Sequence, residues 1–315
     1  MDVTIAICTW NRALSLTDTL EILTTVRIPR GIVWECLIVN NNCTDTTDEV
    51  IAGFTHRLPI RRLFEPIAGV ARARNLAIRN ADGELILFLD DDERADPEWI
   101  AAYLEAAKRW PPAMYFGGKI EPRYLSEPPA YVIANFEALG GLFGLRDFGL
   151  TQRFFRDGEA PYGGNMAVRR KAFAGLAFDE NLGHHHAERV MGEETQFFDE
   201  LNRRHEQGVW VPEAKVRHQV PPENLTAEGI YRHFFTHGRT VVRRNDTSRT
   251  WILGLPKPLA RMCCGVAHRL VAFGRRVGTT RWVILHARCA TWEGMLTEVE
   301  AESAEGRAKF AEAGR

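Results

Sequence analysis

The sequence predicts an α/β protein: a Rossmann-like, mainly parallel sheet with helices on both faces, then a C-terminal helical segment. Three observations carry this. Strand-like and helix-like stretches alternate through the first 120 residues. The strand-like stretches are nearly continuous apolar runs, as in strands buried on both faces. Each run then ends abruptly in polar residues, at the strand ends where open α/β sheets hold ligands.

Taken in order, the first run is "VTIAICT" (3–9), followed by a helix over about 14–27. "WECLIVN" (34–40) leads to a helix over 45–54, and "IRRLFE" (60–65) to one over 69–81. "ELILFLD" (84–90) leads to a helix over 97–109, with Pro97 suited to a first turn and Asp96 to a cap. Residues 111–160 break the pattern: "WPPAMYFGGKIEP" holds a further strand, then Pro122, Pro128 and Pro129 punctuate an irregular aromatic segment. "NMAVRRKAF" (165–173) reads as a strand entering a helix and "GEETQFFDELNRRH" (192–205) as a helix, followed by strand-like "GVWVP" and "AKVRHQV". From Thr226 the chain is helical. The expected division is a catalytic domain over 1–225 and a basic helical extension over 226–315.

Composition narrows the class. With 315 residues, 45% hydrophobic and 26% charged, the chain has ordinary globular character and length enough for a sizeable core. Six cysteines (8, 36, 43, 263, 264, 289) show no CxxC spacing. They form neither a disulfide framework nor a zinc pattern, and suit a reducing cytoplasm. "MDVTIAICTWNR" lacks the basic region of a signal peptide, and no 18-residue apolar run suggests a spanning helix. Net charge is −1, yet between Gly229 and Trp292 twelve Lys and Arg face one acid, Asp246. That surplus marks the C-terminal quarter as a different surface.

Chemistry gathers at the strand ends. The first gives Thr9-Trp10-Asn11-Arg12, the second Asn40-Asn41-Asn42, the third Glu65 and the fourth Asp90-Asp91-Asp92. Three consecutive carboxylates repel one another and need water, a cationic side chain or a metal ion. Hard carboxylate oxygens suit Mg²⁺ or Mn²⁺ bound together with substrate phosphates. A solvated acidic helix start accounts for Asp96 but poorly for the three acids before it.

In family order along residues 3 to about 218 stand "AICTWNR", "IVNNNCTD", "GVARARNLAI", "LFLDDDE", "GGNMAVRR", "FDENLG", "GEETQF" and "VRH". With these motifs the chain resembles a family 2 glycosyltransferase of the GT-A fold, inverting and non-processive. The resemblance implies that Thr9, Asn11, Arg12, Asn40 and Asn42 hold the nucleobase. The family often has an acid at position 40, so Asn40 is a departure. Glu65 and the "GVARARN" loop, including Asn75, would face ribose and sugar, with Arg72 or Arg74 approaching the diphosphate. Asp90, Asp91, Gly164 and Asn165 join the donor site, and Asp92, Asp90 and His218 the metal site. Glu193 and Glu194 stand at the family's Glu-Asp pair, with Glu194 as the base that takes the acceptor proton. The triplet His184-His185-His186 reads as an acceptor-side loop.

Other readings are a nucleotidyltransferase and a non-catalytic nucleotide-sugar-binding protein. The first usually has a glycine-rich loop after strand one, and "CTWNRALS" has none; the second would lose the base. No QxxRW occurs, unlike processive synthases. The expected partners are a nucleotide-diphosphate sugar, with UDP favoured, and a glycan or glycolipid acceptor in cell-surface polysaccharide synthesis. Bulky aliphatics between the arginines of the basic segment (Trp251, Leu253, Leu259, Leu270 and Phe273 among them) favour peripheral contact with the inner face of the cell membrane over nucleic acid. The bland alternative is a lid over the catalytic domain or a homo-oligomer contact.

Overall fold

A computed structural model describes residues 1–180, 182, 184–185, 188–189, 192–245, 251–252, 255–277 and 279–313, without the side chains of 184, 185, 188, 189, 244, 245, 251, 252, 257 and 302–313. The elements run β1 (Val3–Thr9), α1 (Ala13–Leu23), β2 (Trp34–Asn40), α2 (Thr47–Phe54), β3 (Ile60–Phe64), α3 (Val70–Asn80), β4 (Leu85–Leu89), β5 (Glu93–Ala95), α4 (Trp99–Arg109) and β6 (Tyr115–Tyr124). There follow α5 (Ala130–Ile133), β7 (Arg153–Phe154), β8 (Asn165–Arg169), β9 (His184–His185), β10 (Glu188–Arg189), α6 (Glu193–Arg203) and β11 (Gly208–Val220). The chain ends in α7 (Ala227–Asn245), β12 (Trp251–Ile252), β13 (Leu255–Pro256), α8 (Lys257–Arg276) and α9 (Trp282–Ala313).

The sheet has the order β3-β2-β1-β4-β8-β6-β11-β5, with β7 on β11. The first four strands pair in parallel. Beyond them β8 runs antiparallel to β4 and β6, and β11 antiparallel to β5 and β7. The parallel part expected from the sequence is therefore confined to β3-β2-β1-β4. The apolar runs are explained by burial on two faces. Val3, Ile5, Ile7, Leu85, Leu87 and Leu89 pack with α1, α2 and α4. Ala6, Leu37, Val39, Ile86 and Phe88 pack on the other face with α3 and α6. Period-2 alternation thus serves two cores at once.

Helix α4 begins at Trp99, two residues later than expected. Asp96 accepts the Glu98 N–H at 3.2 Å, so it closes a turn ahead of the helix and Pro97 sits in that turn. The expected acceptor-side loop falls partly outside the described residues: His186 is not among them, nor are the side chains of His184 and His185.

The chain forms two compact units. The first holds Met1–Arg123, Phe143–Glu188 and Gly192–Gln219. The second holds Val220 onward and also Tyr124–Leu142, part of the proline-punctuated segment. In the second unit α9 packs against α7 and α8. A Cβ on Gly238 would meet the Thr291 carbonyl at 2.0 Å, and one on Gly294 the Phe235 carbonyl at 2.0 Å, so paired glycines set the α7–α9 approach. Among the described residues no helix is long and apolar enough to cross a membrane.

Candidate active site

The strand order reverses between β1 and β4, so the loop after β1 meets the acids after β4, as at other switch points of open sheets. Arg12 Nη1 donates to Asp91 Oδ1 at 3.0 Å and Asp92 Oδ2 at 2.7 Å. The backbone of the acid run is anchored on both sides. The Thr19 hydroxyl donates to the Asp91 carbonyl at 2.9 Å, and the Gln219 N–H to the Asp92 carbonyl at 2.9 Å.

Strand β5 supplies what the sequence did not reveal. It pairs with β11 in a register that sets Glu93 opposite His218. His218 Nδ1 lies 3.2 Å from Glu93 Oε1 and 3.5 Å from Asp92 Oδ1. Donor atoms of Asp92, Glu93 and His218 all fall within 4.8 Å of one another. Asp90, expected with the metal ligands, faces Arg74 at 3.3 Å, and the residues whose donor atoms gather with Asp92 and His218 include Glu93, which the sequence did not mark.

Arg74 is the hub between the acids and the expected base. It lies on the inward face of α3, 5% exposed, and donates to Glu193 Oε1 at 2.7 Å as well as to Asp90. Glu193, only 7% exposed, is thus held by Arg74. Its neighbour Glu194, in the same first turn of α6, is half-buried. Gly163 and Gly164 pass directly over this hub. A Cβ on Gly163 would come within 2.2 Å of Arg74 Nη2, and one on Gly164 within 2.8 Å of Asp90 Oδ2 and 3.0 Å of Glu93 Oε1.

Burial and neighbouring charge spread the acidities widely. Burial, then the charge of Glu193, pushes the Glu194 carboxyl up to about 7 against the pull of Arg74. Burial pushes Asp91 up to about 7 and Glu93 up to about 8, opposed by Arg12 and His218 respectively. For Asp92, burial is outweighed by His218 and Arg12, which hold it below the usual carboxylate range. Burial disfavours the charged form of His218, but Asp92 and Glu93 prevail and raise it well above an ordinary imidazole.

Several residues expected at the donor site have partners within the protein. Asn165 is fully buried: its Oδ1 accepts from Trp99 Nε1 at 2.8 Å and from the Tyr103 hydroxyl at 2.7 Å. Its Nδ2 donates to the Lys119 and Ala214 carbonyls at 2.9 and 2.8 Å, so its side chain ties the core together. Asn75 exchanges two hydrogen bonds with the Phe178 backbone, both 2.9 Å, and so fixes the "FDENLG" segment. Arg72 pairs with Glu180 at 2.7 Å, away from the acids. Asn40, 2% exposed, accepts the Cys43 N–H and donates to Asp48, organising its own loop. Glu65 Oε1 accepts the Ile67 N–H at 3.0 Å. Thr9 is buried at the end of β1. Asn11 and Asn42 adopt left-handed backbone at φ 51° and 60°, and Asn11 Oδ1 accepts the Thr44 N–H at 2.7 Å, joining the two loops.

Arg146 was missed because it lies in the irregular segment. Its guanidinium carbon is 3.5 Å from the Tyr162 ring centroid, and Glu194 is among the charges that act on it. Its buried Nε has no hydrogen-bond partner among the described residues.

A mixed α/β sheet carrying an acidic cluster at its switch point is the arrangement of the GT-A fold. The family model for glycosyl transferase family 2 matches residues 4–176, more than half of the chain, and the chain belongs to that family. It is 24% identical over 278 residues to the succinoglycan biosynthesis protein ExoM of Rhizobium meliloti, covering 85% of this chain and 84% of that protein. The structure of S. aureus TarS 1–349 in complex with UDP-GlcNAc aligns with a TM-score of 0.54 at 15% identity, covering 97% of this chain and 92% of that one. The mannosyltransferase PcManGT from Pyrobaculum calidifontis, in complex with GDP-Man and Mn²⁺, aligns with a TM-score of 0.56 at 15% identity over 99% of this chain and 79% of that one. The protein is a glycosyltransferase.

Proposed function

We propose that this enzyme is an inverting, divalent-cation-dependent transferase that moves a sugar from a nucleoside-diphosphate donor to an acceptor hydroxyl in cell-surface polysaccharide synthesis. One observation carries the reading: Arg74 ties the acidic cluster, through Asp90, to the helix start that presents Glu194. Glu194 takes the acceptor proton as the oxygen attacks the anomeric carbon on the face opposite the diphosphate. A carboxyl pushed up to about 7 by burial and Glu193 suits that task at neutral pH.

The residues present fit a hard divalent cation. Two carboxylates and one imidazole converge, and the buried Glu93 Oε2 has no hydrogen-bond partner among the described residues. Asp92, Glu93 and His218 would hold the ion, which when bound offsets charge on the departing diphosphate. Arg12, on Asp91 and Asp92, is positioned to exchange those contacts for phosphate oxygens. The likeness to structures holding UDP-GlcNAc and GDP-Man with Mn²⁺ supports a test over both donor types. Diphosphate release is measured for UDP-, GDP- and dTDP-sugars with Mn²⁺, Mg²⁺ or EDTA. Turnover that persists in EDTA would remove the cation from the account.

The acceptor is a lipid-linked or glycolipid glycan at the cytoplasmic face of the cell membrane. Helix α8 turns large apolar side chains outward: Leu259, Met262, Val266, Leu270 and Phe273 are all exposed, as is Val277 just past its end. They recur at three and four residues, while the small Ala260, Cys264 and Ala267 face inward. Arg269 and Arg276 are exposed on the same helix. Such a helix lies in an anionic lipid interface. The chain should float with anionic vesicles at low salt and be released as salt screens the arginines, whereas Leu270→Ser with Phe273→Ser should stay in the soluble fraction. Intact protein that fails to float at low salt contradicts the membrane reading.

A further inference from the structure

Apart from the acidic cluster, the described residues bring a second set of metal-ligating side chains together in the C-terminal helices. Cys264 and His268 lie on α8, Cys289 and Glu293 on α9. Each pair is spaced i, i+4, one turn apart on one helix face. The donor atoms of Cys264, Cys289 and Glu293 lie within 4.8 Å of one another. His268 Nε2 is 3.4 Å from Cys289 Sγ and 2.6 Å from Glu293 Oε1.

The manner of contact distinguishes two uses of such a set. A thiol–imidazole–carboxylate relay places the thiol on one ring nitrogen and the acid on the other. Here the same nitrogen, Nε2, meets both the sulfur and the carboxylate, so His268 joins the set through Cys289 and Glu293, the two residues that also gather Cys264. Tetrahedral bonds of about 2.3 Å to sulfur and about 2.0–2.1 Å to nitrogen or oxygen set donors roughly 3.3–3.8 Å apart. The Cys289–His268 separation already meets this, the His268–Glu293 contact has to open by about 0.7 Å, and the His268 ring has to swing toward Cys264, which the group within 4.8 Å holds without it. Cys264 and Cys289 are buried, while the His268 side chain is 44% exposed and leaves an entry path. Tyr231 on α7 donates its hydroxyl to Glu293 Oε2 at 2.5 Å, leaving Oε1 toward His268. An outer hydrogen bond of this kind orients a ligating carboxylate. A search for CxxC spacing passes over the set, because its pairs read C-x₃-H and C-x₃-E on separate helices.

We infer that Cys264, His268, Cys289 and Glu293 form a tetrahedral site for a borderline-soft divalent cation of the zinc class, which pins α8 to α9. Two thiolates and an imidazole select such an ion over the Mg²⁺ or Mn²⁺ suited to Asp92, Glu93 and His218. The site takes no part in sugar transfer and does not depend on the function proposed above.

Co²⁺ is the probe. The full-length, reduced, metal-stripped protein is titrated and its absorption recorded. One equivalent should give thiolate-to-cobalt charge transfer and the visible bands of tetrahedral cobalt, both bleached by Zn²⁺. Cys289→Ser should weaken the charge-transfer band. His268→Ala, at an exposed position, should lower cobalt affinity at least about tenfold while leaving metal-free melting unchanged. Asp92→Asn should leave the bands intact. A folded, reduced chain without thiolate charge transfer overturns the inference, and so does a Cys264–Cys289 disulfide in protein isolated under cytoplasm-like reducing conditions.

Discussion

Replacing Glu193 by glutamine should move the pH dependence of transfer toward acid. The base role proposed for Glu194 requires its ionised form, and Glu193 is the largest influence after burial that keeps it protonated up to about 7. Glu193→Gln removes that repulsion and leaves the attraction of Arg74, so both changes favour the carboxylate. Two like unit charges in contact, about 4 Å apart, at an effective dielectric constant of about 20 repel by about 4 kcal/mol. Solvent on the open side of Glu194 reduces this, and a shift of about one pH unit, or about 1.4 kcal/mol, is the expected scale. At pH 6 roughly a tenth of the native base is ionised, against about half in the variant, so the variant should hold about five times more of its own plateau rate. The assay is kcat/KM for diphosphate release with saturating acceptor from pH 5 to 8. An ascending limb that stays in place, or moves toward alkali, refutes the coupling between the two glutamates.

Two further substitutions probe the framework. Arg74→Met strands Glu193 and Asp90 without their buried cation, and should destabilise the catalytic unit by about 3–5 kcal/mol in urea denaturation, with partial recovery when Glu193→Gln is added. An unchanged midpoint shows that the pair contributes nothing. Gly164→Ala forces a methyl against Asp90 and Glu93; it should weaken Mn²⁺-dependent donor binding in calorimetry by tenfold or more, about 1.4 kcal/mol, while a native affinity shows that the backbone can yield there.

How much was legible in the sequence varies from residue to residue. β1, β2 and β4 are plain because they are buried on both faces, and Asp90 to Asp92 stand out because the apolar run stops at them. β5 is not legible: "ERA" has three residues and no period, yet its pairing with β11 is what brings His218 to the acids. Arg72 and Arg74 differ by two positions on one helix, so they point to different faces, and only the fold shows that Arg74 is the inward one. Asn165 and Asn75 are polar residues in conspicuous motifs, and their chemistry is spent on backbone and core partners that sequence spacing does not expose. The place of Tyr124–Leu142 in the second unit depends on contacts distant in sequence, as does the meeting of Cys264 with Cys289.

The most direct test of the account is single-turnover transfer by Glu194→Gln, with donor affinity measured calorimetrically on the same preparation. Glutamine is nearly isosteric with glutamate but takes no proton. If Glu194 is the base, donor affinity in Mn²⁺ stays within about twofold of native while the transfer rate falls by roughly 10²–10⁴. A transfer rate close to native contradicts the assignment of Glu194 and, with it, the mechanism built on the Arg74 hub.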